Sequence, residues 1–240
     1  MFSLLRPACG ADANLRCCAG CTTAILAIEA DPSVKGVVVH GAGRCFCAGA
    51  DISAFGASGG PAVVDLGRKK SDMLGFEGLN VPVVAAIHGY ALGGGLEAAL
   101  GCHYRVIDEE SAVGLPEVNI GLLPGGQGTQ RLPRLIGCEA ALALMTTGEH
   151  ESAAQALEWG VVDEIAPAGS DMLAAAKALA ISKIGQVGTQ AIPPQLDFRV
   201  RSLTDCLCFA ASPEDRGHAA AGVGRRLRRL AGEDEQGPPG

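Results

Sequence analysis

Val81-Pro-Val-Val-Ala-Ala-Ile87, running into His88-Gly-Tyr-Ala-Leu-Gly-Gly-Gly-Leu-Glu97, decides how this chain folds. Seven consecutive apolar residues read as a strand buried on both faces, the pattern of a sheet covered by helices on either side. Pro82 stands near the strand start, where a missing N–H donor is tolerated. The glycine triplet 93–95 then predicts a helix opening, extending to about Cys102. Upstream, Val34 to Val39 is a second buried run, ended by Gly41-Ala-Gly43, and Ala24 to Ile28 closes an amphipathic helix before Asp31-Pro32. Downstream, short strands at Tyr104–Ile107, Ala112–Val113 and Val161–Ile165 alternate with helices at 62–79, 129–135, 139–147, 152–159 and 171–181. Strand–helix alternation of this kind predicts an α/β fold with parallel crossovers.

Composition narrows the function classes. The chain has 240 residues, 48% of them apolar and 19% charged, enough for one large domain with a sizeable core. A net charge of −7 without a basic stripe in the apolar body argues against a nucleic-acid partner. The longest uncharged stretch, Val81 to Leu96, is shorter than the roughly 20 residues of a membrane span. Arg6, Asp12 and Arg16 interrupt any apolar signal region at the start. Glycine is the outlier at 34 residues, about twice the ordinary ~7%, which points to tight turns and close backbone approaches. Cys18-Ala-Gly-Cys21 is a solitary C-x-x-C with no second pair, so no metal site is expected.

The chemistry gathers at two glycine turns, each following a buried strand. Cys47-Ala-Gly-Ala-Asp-Ile52 is the first and Gly89 to Glu97 the second. In the second, amides at the helix start lack intrahelical partners and lie at the positive end of the helix dipole. A pair of such N–H groups suits a developing oxyanion. Glu97 falls in the first helical turn, where its carboxylate can lie near the helix mouth. Glu117 follows Pro116 in an apolar surround, and neither glutamate has a Lys or Arg neighbour in sequence. Two carboxyls beside convergent amides suit proton transfer next to a carbonyl, or water addition conjugate to one. The plainer readings are a helix-dipole Glu97 and a loop Glu117 that caps the next turn.

Those residues carry a resemblance. The segments 47–52, 81–97 and 114–133 resemble the enoyl-CoA hydratase/isomerase (crotonase) family, in the expected order and with the twenty-residue step from Glu97 to Glu117. The likeness runs from about Ala24 to Pro167. Leu100-Gly-Cys-His-Tyr-Arg105 and Gly114-Leu-Pro-Glu117 are most similar to the bifunctional peroxisomal members. The resemblance implies a crotonase-like spiral of ββα turns with a helical C-terminal part. It implies an enzyme of the lyase type: syn addition of water to a 2-trans-enoyl-CoA, giving the 3-hydroxyacyl-CoA of fatty acid β-oxidation, with Δ3,Δ2-isomerisation as a possible second reaction. By position, the catalytic pair is Glu97 and Glu117, and the oxyanion amides are those of Ala50 and Gly94. Ala48, Asp51, Ile52 and Ser53 border the CoA moiety. No separate cofactor is implied, coenzyme A being part of the substrate, and the expected partner is an acyl-CoA thioester. A homo-oligomer is implied, or a monomer as in the bifunctional members, in the peroxisome.

Other features depart from the family. Residues 1–23 show no counterpart of its opening strand and CoA-contacting loop, residues 24–185 form the hydratase-like domain, and 186–240 read as a poorly ordered tail. The sequence reads as a truncated member without a dehydrogenase half, ending in Gly-Pro-Pro-Gly240 rather than a peroxisomal address, which would otherwise leave it cytoplasmic. An impaired crotonase-fold protein that only binds acyl-CoA is therefore the alternative. Gly56-Ala-Ser-Gly-Gly60 fits G-x-S-x-G but lacks a strand directly before the serine. Gly41-Ala-Gly43 lacks the third glycine of a dinucleotide loop, and His88 reads as structural.

Overall fold

A computed structural model describes residues 2–5, 23–50 and 75–186 of the chain. In chain order these form β1 (Phe2–Leu5), a helix α1 over 23–30, β2 (Gly36–His40), a 3₁₀ turn (Gly75–Gly78), β3 (Val83–Ile87), β4 (Tyr90–Leu92) and α2 (Gly94–Leu100). Next come β5 (Tyr104–Asp108), β6 (Ala112–Gly114), a 3₁₀ turn (Pro116–Ile120), α3 (Gly128–Ile136) and α4 (Cys138–Thr147). The last elements are β7 (His150–Ser152), α5 (Ala153–Trp159), β8 (Glu164–Ala166) and α6 (Met172–Ser182).

The strands sort into two sheets. The larger is parallel throughout, in the order β1-β2-β3-β5-β8, and the smaller is β4-β6-β7. Two turns of the chain each give one strand to the large sheet and the next to the small one before entering a helix, β3-β4-α2 and β5-β6 with the helices that follow. That is the ββα spiral the sequence implies. Every residue of β2 and β3 is buried, which is why both are written as uninterrupted apolar runs. Alternate side chains divide between two cores. Val37, Val39, Val83, Ala85 and Ile87 face a large cluster with Phe46, Phe76, Leu96, Leu132 and Trp159. Val38, Val84, Ala86 and Val106 face Ala176, Leu179 and Ala180 of α6. Full burial of one such valine is worth about 1.5–3 kcal/mol.

The start of the chain differs from the sequence reading. Residues 2–5 do form a strand, paired in parallel with β2 from Phe2 opposite Gly36 to Leu5 opposite Val39. A four-residue strand has too little pattern to be legible, and the exposed edge of β2 supplies the ladder that makes it. Of the helix read over 62–79, residues 62–74 lie outside the described residues and the end is the 3₁₀ turn Gly75–Gly78. The tail read over 186–240 beyond Gln186, and the motifs at 18–21 and 56–60, also lie outside them. No helix among the described residues is long and apolar enough to cross a membrane.

Buried polar groups lock the layers. Arg105 of β5 donates through Nε to the Val161 carbonyl (2.7 Å), through Nη1 to that of Cys102 (2.9 Å) and through Nη2 to Asp163 (3.3 Å), so its buried charge is partnered on three sides. His103 bridges backbone segments. Its Nδ1 accepts the Val83 N–H (3.1 Å), which puts the ring proton on Nε2, the atom 3.3 Å from the Glu77 carbonyl. Burial, more than any other cause, lowers the His103 pKa from its ordinary value near 6.5.

A base whose native pKa is depressed contributes fully above its unfolded value and loses that contribution as pH falls through it. Denaturant stability should therefore decline below about pH 6.5. His103→Gln, with an amide oxygen for the Val83 N–H and an amide N–H for the Glu77 carbonyl, should flatten this part of the profile. Chemical unfolding at several pH values measures both; identical slopes in the two proteins would refute the assignment.

Candidate active site

The end of β3 and the loop before residue 50 are knitted together. Phe46 N–H donates to the His88 carbonyl (2.8 Å), Cys47 N–H to that of Tyr90 (3.0 Å), and Leu92 N–H to that of Cys47 (3.0 Å). Cys47 thereby faces Ala91 in parallel register. Ala50 follows three residues beyond this bridge, and Gly94 three residues beyond its partner, at the first position of α2. His88 is structural, as expected, its Nε2 lying 3.1 Å from the Gly43 carbonyl. Ala48 and Ala50 are exposed and Gly94 half-buried at the first position of α2. Asp51, Ile52 and Ser53 lie outside the described residues.

Glu117 is delivered to this mouth by sheet register. Leu92 pairs with Gly114 across β4 and β6, and the Gly93 N–H donates to the Gly114 carbonyl (2.9 Å). Three residues on, in the 3₁₀ turn, the Glu117 carboxylate comes to rest against Gly93. A β-carbon at Gly93 would stand 3.1 Å from Glu117 Oε1, and Gly93 takes φ +52°, a left-handed value that favours glycine. The residue before the first α2 amide is thus the surface on which one carboxylate sits.

Glu97 goes elsewhere than the sequence suggests. Its backbone is in the first turn of α2, its N–H on the Gly93 carbonyl (3.0 Å), but its carboxylate reaches the start of α3 rather than the mouth of α2. Oε1 accepts two N–H groups, from Gly126 (2.6 Å) and Gly128 (2.8 Å), and the residue is 4% exposed. Between them, Gln127 has φ +77°, the only non-glycine with positive φ among the described residues. That conformation costs on the order of 1 kcal/mol or more. It turns the flanking amides toward one point, an anion-binding nest at a helix N-terminus. The carboxylate packs so tightly that a β-carbon at Gly126 would collide with Oε2. The nest amides are functional groups that reading the chain missed. Their signal is Gly125-Gly-Gln-Gly128 ahead of a helix, but nothing local reveals that Glu97 fills it.

The site therefore has the Gly94 amide at the start of α2, one carboxylate against Gly93 and a second clamped at the start of α3, with Ala50 exposed in the loop that follows the Cys47–Ala91 bridge. Fold and site together define a crotonase-fold protein. The chain belongs to the enoyl-CoA hydratase/isomerase family, whose sequence profile matches residues 3–192, beginning well before Ala24. It is 50% identical over 143 residues to a peroxisomal bifunctional enzyme of Cavia porcellus, 56% of this chain but 18% of that protein. It is 42% identical over 171 residues to a Bacillus subtilis protein named "Probable enoyl-CoA hydratase", 70% of this chain and 66% of that one. An enoyl-CoA hydratase crystal structure from Bacillus anthracis superposes with TM-score 0.62 at 31% identity, covering 77% of this chain and 72% of that one. The chain thus spans about a fifth of the bifunctional relative and just under two thirds of the Bacillus subtilis one.

Gly126→Ala should displace the Glu97 carboxylate without unfolding the protein, because the colliding atom is the end of a flexible side chain. Turnover of an enoyl-CoA thioester should fall about 10- to 100-fold, misplacement of a reacting group costing up to roughly 10², while the protein stays folded with a lowered melting temperature, since the buried carboxylate loses its two amide partners. Steady-state kinetics with a thermal melt checks both.

Proposed function

We propose that the chain is an enoyl-CoA hydratase of fatty acid β-oxidation, adding water to a 2-trans-enoyl-CoA thioester to give the 3-hydroxyacyl-CoA. The observation that carries this reading is the pair of glutamates placed around α2, Glu117 resting against Gly93 just before the helix and Glu97, from its first turn, clamped by two amides at the start of α3. The thioester oxygen is held by the N–H groups of Ala50 and Gly94, where negative charge builds as the double bond is attacked. Glu97, its charged form stabilised by two donors, takes a proton from the water that attacks C3. Glu117 supplies the proton that C2 acquires, and the enolate collapses to the thioester. Atoms balance: one water is consumed, and the two carboxyls exchange one proton with each other or with solvent before the next turnover.

Isomerisation of a 3-enoyl-CoA needs one shuttle carboxylate, and Glu117 serves it. Ala48, Asp51, Ile52 and Ser53 are proposed to border the coenzyme A moiety, which enters as part of the substrate. The alternative, a member that binds acyl-CoA without turnover, rested on a missing opening strand and CoA-contacting loop; β1 supplies a strand there, and residues 6–22 lie outside the described residues. The peroxisomal location in one relative's name is carried over as part of the same proposal.

Purified chain should hydrate crotonyl-CoA, followed as loss of the conjugated thioester's absorbance. Glu117→Gln should abolish hydration and isomerisation while acyl-CoA binding survives, and Glu97→Gln should harm hydration far more than isomerisation. Wild-type rates in both variants would overturn the proposal. For the oxyanion role, Gly94→Pro removes one donor at a helix position that accepts proline, so kcat should drop about 10²-fold or more in a folded protein.

A further inference from the structure

We propose that Arg131 is a positioning residue for Glu97, acting through the Gly126–Gly128 turn; this rests on the hydratase reading above. Arg131, on the first turns of α3, is buried, and its guanidinium makes a fork to Glu77: Nε to Oε2 at 3.1 Å and Nη2 to Oε1 at 2.9 Å. Its remaining nitrogen, Nη1, lies 3.5 Å from the Gly126 carbonyl, and its backbone N–H donates to the Gln127 carbonyl at 2.8 Å. One residue thus engages both carbonyls of the turn. In a trans peptide the C=O and the following N–H point in opposite directions. Anchoring the Gln127 carbonyl therefore aims the Gly128 N–H the other way, onto Glu97 Oε1, while anchoring the Gly126 carbonyl fixes the preceding plane and holds Gln127 in its strained conformation.

The clamp is itself anchored. Glu77 is in the 3₁₀ turn ahead of β3, and its carbonyl lies within hydrogen-bond reach of His103 Nε2, while His103 Nδ1 accepts the Val83 N–H. A continuous set of contacts runs from the central strand β3, through His103, Glu77 and Arg131, to the turn that grips Glu97. The salt bridge supplies more than cohesion. The planar fork fixes the guanidinium's orientation, and with it the nitrogen left for Gly126, which an ammonium cannot reproduce.

The test uses the full chain and compares Arg131→Gln, Arg131→Lys and Glu77→Gln with wild type in crotonyl-CoA hydration across pH. Arg131→Gln should lower kcat about 10- to 100-fold with KM nearly unchanged, since misorientation rather than binding is lost. The acid limb of its kcat–pH profile should move to higher pH as the amides that favour the ionised carboxylate drift away. Arg131→Lys should recover only part of the rate. In an Arg131→Gln/Glu97→Gln double variant the two losses should not multiply, because the first acts through the second. Glu77→Gln keeps the shape of the clamp and should shift the limb in the same direction by less; it carries the test if Arg131→Gln does not fold. An unmoved acid limb, or fully multiplicative losses, would reduce Arg131 to a structural role and overturn the inference. Absence of crotonyl-CoA hydration by the wild-type chain would instead overturn the hydratase reading, so the two failures are distinguishable.

Discussion

A carboxylate that is almost wholly buried sets the terms for the rest of this molecule. Removing the Glu97 charge from water costs several kcal/mol unless hydrogen bonds replace the solvent, and here two backbone amides at the start of a helix do so. The arrangement constrains distant parts of the chain at once. α2 must begin at Gly94 for residue 97 to face α3, positions 126 and 128 must lack side chains, and Gln127 must accept a left-handed conformation. The bond is also a fastener, joining a helix that follows β4 to one that follows the second 3₁₀ turn, across 29 and 31 residues of sequence.

One segment serves both glutamates. Residues 114–128 leave β6, carry Glu117 to Gly93 and end with the amides that grip Glu97. Its beginning is fixed by the β4–β6 ladder, since Leu92 opposite Gly114 determines where the third residue onward arrives. Its end is fixed by the first turn of α3 and by Arg131. Sheet register and helix start thus set the placement of the two carboxylates relative to the Gly94 amide, which is the quantity that proton-transfer chemistry is sensitive to.

How much of this was legible in the sequence depends on the range of the determining contacts. β2 and β3 are written plainly, because Val37–Val39 and Val83–Ile87 are buried on both faces and are apolar throughout. The glycine triplet marks the start of α2, and Ser152 and Asp171 mark helix starts where each accepts N–H groups from the first turn, Gln155 in one case and Leu173 and Ala174 in the other. The three-residue strands β4 and β7 were not legible, since each begins at an exposed residue, Tyr90 and His150, whereas the equally short β6 carries the apolar pair Ala112-Val113. β1 exists because β2 offers it a ladder. The two glutamates could be singled out by their apolar surroundings and unpaired sequence context. The direction of Glu97 could not, because its partners are remote and are backbone groups, which leave no residue-type signature beyond glycine.

The two carboxylates are held in unequal ways, and the inequality bears on the proposed chemistry. Glu97 is clamped through one oxygen by two short hydrogen bonds inside the core. Glu117 stands half-buried on a short 3₁₀ turn in which no residue is fully buried and which ends at Gly121 in a left-handed conformation. A base that must meet a water from one direction gains from being fixed, because every degree of freedom removed beforehand need not be lost in the transition state. A carboxyl that gives a proton to C2, and in isomerisation takes one from that carbon and returns it to C4, must address different atoms in turn. A place on a short turn beside the start of α2, outside the core, suits that task. On the proposed reading, the same difference bears on why Glu97 is assigned to hydration and Glu117 to both reactions: only the reaction that consumes water uses the carboxylate fixed in the core.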